Sequence, residues 1–392
     1  MIKVALFAEI MIKDFDGAAR TLFQLIDRID TEQFEYAFVY GNGPEKFRNY
    51  QSLKTPRLRL PVNEDYSLAL PALTKQRLYT QLDEFAPDVI HITTPSALGF
   101  FALKYAQKRN LPVISIYHTH FLAYIPYYFQ KLSFLVKPVS NWMSSAMQRF
   151  YNSCDMIYTP TPSMIENLQK IGIKKQLLTL WQRGINLQLF NPTNRDPNYL
   201  PKRTGNNRKN ILFASRLVWE KNVKMLIQLS ELIEEQDLQY NLIIVGDGTA
   251  RKEMEKHMPN AYFFGKQDHQ TLATLYASSD VFVFPSISET YGNVVTEAMA
   301  SGLPCVIADG GGSADLVKHG YNGYKCDPQN PFEYLHYLQK ILENTSVYAL
   351  LRKNALETVT PLDWDRLAER YFADVVQLST RTNTNKWIGE AS

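Results

Sequence analysis

Cysteine is scarce: the 392 residues hold three, Cys154, Cys305 and Cys326. They lie far apart, match no zinc-ligand spacing and leave an odd count, which argues against a disulfide framework and for a reducing compartment. Long hydrophobic runs are missing too. No stretch reaches about eighteen apolar residues, so no segment is expected to span a membrane. The apolar start Ile2 to Ala8 is broken by Glu9, too early for a signal-peptide core, so no leader is expected and the cytoplasm is the expected compartment. Excess charge is also absent. Lys and Arg number 42 against 39 Asp and Glu, and a net +3 is too small to indicate nucleic acid.

What is present is a chain with 45% hydrophobic residues, enough for two cores at this length. Apolar runs at Lys3 to Ala8, Tyr36 to Tyr40, Val89 to Ile92, Val113 to Tyr117 and Ile157 to Pro160 read as buried parallel strands. A second series follows at Ile211 to Ala214, Leu242 to Val245, Phe263 to Phe264 and Val281 to Phe284. Between the two series, Thr193 to Asn210 is polar, carries Pro197, Pro201 and Gly205, and reads as a linker. The expected division is 1–192, linker 193–210 and 211–362, with an amphipathic helix over 363–380.

The most informative stretch runs from Ser286 to Pro304. It follows the strand Val281 to Phe284 and ends at Gly302 with Pro304 beyond, the stop signals of a helix. Gly292, Asn293 and Val294 fall where free backbone N–H groups and the helix dipole favour an anion. Glu289 precedes that point, and Glu297 follows on the first turns of the helix as an acceptor for hydroxyls. One segment thus offers donors for a phosphate and acceptors for a polyol. Spacing alone favours the plainer reading of two acids near a helix start.

Other turns carry chemistry as well. Asp16 and Gly17 open a helix after the first strand, the usual anion-holding geometry of doubly wound folds. Arg216 and Lys221 sit in one strand-to-helix turn and can converge on a diphosphate, or form a solvated pair. Gly246 repeats the strand-plus-glycine pattern. His118 stands at the C-terminal end of a strand, where open parallel sheets bind ligands, with His120 and Tyr124 following. Asp14-Phe15-Asp16 and Asp363-Trp364-Asp365 spell Asp-x-Asp, but neither ends an interior strand, and no catalytic metal is expected.

Residues 121–151 interleave aromatic residues with Lys131, Lys137 and Arg149, and no acid occurs between Asp88 and Asp155. That mixture suits an anionic lipid surface, although part of it must also pack the first core.

The string from Ser288 to Pro304 resembles the Glu-x7-Glu signature of the retaining glycosyltransferases of the GT-B fold, family four. Further likeness lies in Tyr117-His118-Thr119-His120, in Arg216-Leu217 with Glu220-Lys221, and in the Gly184 to Pro192 segment, where Asn186 replaces the family's Asp. The resemblance implies an α/β fold: two Rossmann-like doubly wound domains facing across a cleft, the last helix crossing back to the first. It implies that His118 faces the donor sugar and Glu289 holds its hydroxyls. Arg216 and Lys221 would stabilise the diphosphate, Glu297 would hold the ribose, and Phe264 and Lys266 would border the nucleobase. Gly17, Gly246, Gly292, Asn293 and Val294 complete the donor side, with Asp16, His120 and Tyr124 on the acceptor side. Ala18 stands where relatives carry a second glycine, which limits the backbone approach there.

The implied reaction is metal-independent transfer from a UDP- or GDP-sugar to a lipid or glycan acceptor, with no cofactor and no nucleic acid. Segments near His118 and Val136-Lys137-Pro138 are similar to sulfolipid synthases, and the overall pattern is similar to GDP-mannose-dependent α-mannosyltransferases and α-glucosyl diacylglycerol synthases. A nucleotide-sugar-binding protein without turnover, a GT-B epimerase or phosphorylase, and a soluble transferase acting on a polysaccharide or small molecule remain as alternatives. Fold does not choose among them.

Overall fold

The computed structural model describes the chain apart from residues 14, 16, 61–62, 119–121, 123–124, 126–132 and 390–392, and apart from the side chains of 59–60, 63–66, 133 and 381–389. The strands are β1 (Ile2–Ile10), β2 (Phe34–Asn42), β3 (Gln51–Lys54), β4 (Arg57–Leu60), β5 (Asn63–Ala69), β6 (Val89–Ile92), β7 (Val113–Ile116), β8 (Met156–Thr159), β9 (Leu178–Leu180), β10 (Lys209–Ala214), β11 (Tyr240–Val245), β12 (Tyr262–Gly265), β13 (Val281–Phe284), β14 (Cys305–Ala308) and β15 (Gly323–Cys326).

They form a seven-stranded sheet in the order β3-β2-β1-β6-β7-β8-β9, a six-stranded sheet β12-β11-β10-β13-β14-β15, and the hairpin β4-β5. Neighbours in both large sheets run parallel. Parallel strands need crossovers, and those crossovers place helices on both faces. β1 shows the consequence: Ala5 and Phe7 enter one core, while Val4, Leu6 and Ala8 enter the core on the other face. Its continuous apolar run is therefore buried on both sides rather than alternating with polar residues.

The last helix, Trp364–Gly389, lies on the first sheet, although the second sheet precedes it in the chain. Trp364, Ala368, Tyr371, Val375 and Leu378 recur at helical spacing and are buried there, with Leu367 and Phe372 half-buried beside them. The Tyr371 hydroxyl meets His91 Nδ1 at 2.8 Å, and the Tyr158 hydroxyl donates to Asp374 at 2.6 Å. These bonds satisfy polar groups that burial would otherwise strand.

The polar stretch 193–210 is not a free linker. Its Leu200 is buried in the second core, the Asp196 amide donates to Ser278 Oγ at 3.1 Å, and Tyr262 donates to the Thr204 carbonyl at 2.9 Å. A short helix, Pro201–Thr204, ends on Gly205, and β10 already begins at Lys209. The segment lacks a hydrophobic period because it is held by single anchors and side-chain bonds.

Candidate active site

β13 ends at Phe284, and the next helix begins after Gly292, which has φ 93° and caps Asn293–Ala300. A Cβ on Gly292 would lie 2.7 Å from the Ser313 Cβ, so the turn depends on glycine for both conformation and space. Asn293 and Val294 are half-buried on the first turn. Behind this turn the Gly312 amide donates to the Glu289 carbonyl at 2.7 Å, fixing the backbone that presents the Glu289 side chain.

On the neighbouring strand, β10 leads into the turn that carries Arg216 and Lys221. Lys221 is buried, donates to Glu289 Oε1, and has Ser288 Oγ at 3.4 Å. A buried ammonium requires such a partner, because desolvation without one would favour its neutral form. Arg216 does not join this pair: its side chain is 62% exposed and lies 3.8 Å from Glu220. The two cations share a turn but engage different acids.

Gly246 follows β11 with φ 134°, and a Cβ there would fall 1.8 Å from the Ser215 carbonyl oxygen. Glycine is what lets this turn lie against the Arg216 turn. The Gly246 amide also donates to the Gly265 carbonyl at 2.8 Å, which brings the half-buried Phe264 and exposed Lys266 to the same rim.

Glu297 is buried on the helix Asn293–Ala300. The Tyr276 hydroxyl donates to its Oε2 at 3.3 Å, and Arg20 Nη1 lies 3.5 Å from its Oε1. Arg20 belongs to the first-half helix Gly17–Ile26, and its Nη1 is also 3.0 Å from His269 Nε2. A cation from one half thus reaches a carboxylate and an imidazole of the other.

A second link runs through Arg183, which is buried. Its Nη2 donates to the His118 carbonyl at 3.0 Å, its guanidinium lies 5.8 Å from the Tyr291 ring centre, and Tyr291 donates back to the Arg183 carbonyl at 3.0 Å. A Cβ on Gly17 would sit 3.4 Å from Asn293 Nδ2 and 3.5 Å from Arg183 Nη1. Gly17, His118 and the Glu289–Asn293 turn are therefore gathered around one arginine. His118 is buried, and neither ring nitrogen has a hydrogen-bond partner among the described residues. Burial, then Arg183 and His91, hold its imidazole well below the ordinary range, so it is neutral near pH 7.

Asp16, His120 and Tyr124 lie outside the described residues, as does Asp14. The second Asp-x-Asp only starts the last helix, where Asp365 pairs with Arg28 at 2.5 Å. Among the described residues, no group of three His, Cys, Asp or Glu is placed to hold a metal ion. Arg20, Arg183, Tyr276 and His269 were not legible as site residues. They come from three separate segments, His269 and Tyr276 sharing the helix His269–Ser278, and carry no local pattern.

Two family models match successive parts of the chain: "Glycosyltransferase Family 4" over residues 15–189 and "Glycosyl transferases group 1" over 199–358. The chain belongs to the GT-B glycosyltransferases. It is 28% identical over 390 residues to a GDP-mannose-dependent alpha-mannosyltransferase of Corynebacterium glutamicum, covering 97% of this glycosyltransferase and 90% of the relative. It is 29% identical over 374 residues to the sulfoquinovosyl transferase SQD2 of Arabidopsis thaliana, covering 92% and 71%. Among solved structures, sucrose-phosphate synthase from Thermosynechococcus elongatus superposes with a TM-score of 0.76 at 19% identity, over 97% of this chain and all (100%) of that one. Anabaena HepE in complex with UDP-glucose gives 0.72 at 18% identity, over 96% and 100%. These superpositions establish the fold. The family establishes a transferase that uses a nucleotide-diphosphate sugar as co-substrate.

Proposed function

We propose that this glycosyltransferase moves a hexose-type sugar from a UDP- or GDP-linked donor to a lipid or glycan acceptor, with retention and without a metal, at the inner face of a membrane. Residues 1–192 with 363–380 form the acceptor side in this reading, and 211–362 the donor side. The observation that carries it is the pair of buried Lys221 and half-buried Glu289 beside the Gly292 helix start. It sets a fixed cation, backbone donors and a carboxylate around one point, as a sugar diphosphate requires.

In this mechanism the acceptor hydroxyl attacks the anomeric carbon on the face that the nucleotide leaves. The bond from that carbon to the phosphate oxygen breaks, its electron pair goes to the departing diphosphate, and that oxygen takes the hydroxyl proton. Lys221 and Arg216 stabilise the charge that grows on the diphosphate. Glu289 accepts hydrogen bonds from the sugar and Glu297 from the ribose, while neutral His118 lines the anomeric centre. Phe264 and Lys266 border the base.

A membrane-side acceptor is supported by the helix Ser133–Tyr151. Phe134 and Trp142 are 72% and 66% exposed on it, and exposed Lys137 and Pro138 lie between them at helical spacing. Among the described residues no helix is long and apolar enough to cross a membrane. Similarity to a GDP-mannose-dependent alpha-mannosyltransferase favours the mannose end of the range, and 24% identity over 325 residues to an alpha-monoglucosyldiacylglycerol synthase of Streptococcus pneumoniae favours the lipid end.

The test is a mass-spectrometric screen of UDP- and GDP-sugars with lipid and glycan acceptors, run with a no-acceptor arm. Free nucleotide diphosphate accompanied by a glycosylated product of unchanged anomeric configuration is expected. Binding of donor without any release of nucleotide would show a binding protein instead.

A further inference from the structure

A cleft of about 480 Å³ opens in the first half, between the ends of β2 and β3 and the start of the helix Lys75–Phe85. No part of the donor site reaches it. It is lined by Lys54, Arg57 and Arg77, with one carboxylate, Glu45, to set against them. Lys54 pairs with Glu45, but that acid is 90% exposed, so solvent screens its charge. Arg57 is held by the neutral Asn42 side chain, and Arg77 Nη2 donates to the Lys54 carbonyl at 2.9 Å. Those bonds orient the two guanidinium groups without neutralising them. The cleft wall also contains the Thr74 Oγ1, a buried hydroxyl with no partner among the described residues.

We infer that this cleft binds an anionic group, a phosphate or carboxylate, carried by the acceptor. The claim rests on the proposed function, since it adds a charge requirement to the acceptor of that reading. Its position supports it. The cleft lies at the C-terminal ends of β2 and β3, the same edge of the sheet from which β7 leads to His118. Three to four strand spacings separate them, roughly 14–19 Å. The anion is therefore a charge set apart from the reacting hydroxyl on the same acceptor. Arginine suits that task through planar, multiple N–H donation to oxyanions. The volume accommodates a lipid headgroup or a short glycan.

The experiment uses the full chain with the donor site saturated by UDP or GDP, and calorimetric titration with glucose 6-phosphate, glycerol 3-phosphate and glucose. Both phosphates are expected to bind at least tenfold tighter than glucose at low salt, and to weaken as salt rises. The variant Arg57→Gln/Arg77→Gln, with both side chains at exposed positions, should lose at least tenfold for the phosphates and bind the nucleotide diphosphate unchanged. Phosphates that bind no tighter than glucose, or equally well in the variant, overturn the subsite. Failure of UDP and GDP to bind at all would overturn the donor reading instead. Short-chain phosphatidylglycerol, kept below its micellar concentration so that no membrane surface is offered to Phe134 and Trp142, locates the charge: binding lost in the variant puts it on a lipid, and binding unchanged, with glucose 6-phosphate lost, puts it on a glycan.

Discussion

Lys221 donates to Glu289 across 68 residues of chain, and the contact exists because β10 and β13 are neighbours in the second sheet. The lysine is buried and the carboxylate only partly exposed, so each fixes the other's position. Lys221→Ala should lower kcat by about one to three orders of magnitude at saturating donor, as expected for one lost transition-state charge partner. Undiminished kcat in that variant would remove Lys221 from the mechanism.

Arg20 reaches from the first half to Glu297 and His269 of the second. If Glu297 receives the ribose, Arg20 sets both the carboxylate's orientation and the approach of the two halves. Arg20→Ala should raise the donor KM about tenfold, in line with losing a charge-assisted contact. Arg20→Lys should recover only part, because one ammonium cannot reproduce the planar fork. Steady-state kinetics with varied donor separate this from a change in kcat alone.

Gly292→Ala must add a Cβ at φ 93° and 2.7 Å from Ser313 Cβ. Positive φ costs an alanine about 1–2 kcal/mol before any clash. Thermal unfolding should show the loss, and donor affinity should fall with it, because the same turn presents Asn293 and Val294.

Acid pH should destabilise the fold through two buried histidines. Burial pulls His91 down to about 3 and His118 well below its ordinary value, while both titrate near 6.5 when unfolded. In between, the unfolded chain holds more protons, so stability rises with pH and is complete above about 6.5. At pH 5 the His91 share of the loss is about 2 kcal/mol. Calorimetric Tm from pH 8 to pH 5 should fall, and His91→Gln, which starts lower because it loses the Tyr371 contact, should show a shallower decline.

Trp142→Ser with Phe134→Ser should abolish sedimentation with anionic vesicles while leaving turnover on a soluble acceptor intact. The parent protein should sediment less as salt rises. No sedimentation of the parent at low salt would remove the membrane from the proposal.

Strands buried on both faces were the most readable parts of the chain. Val89–Ile92 and Val281–Phe284 have the limits that their apolar runs suggest. The edge strands β3, β9 and β15 and the hairpin β4-β5 gave no such signal, since an edge strand contributes less apolar surface and tolerates Gln51, Lys54 or Lys325. β14, Cys305–Ala308, is interior and fully buried, and its apolar run went unread although it is as long as Val89–Ile92 and Val281–Phe284.

The amino-acid order alone determined the parallel α/β class, the glycine turns after the strands, and the Glu289 to Glu297 helix start, because each depends on contiguous residues and local backbone geometry. Only the tertiary structure decided which side chains meet: Lys221 with Glu289 but not Arg216, Arg20 with Glu297, and Arg183 with His118 and Tyr291. Those pairings depend on strand order and on how the two halves face each other. Both arise from packing between distant segments, which no local pattern encodes.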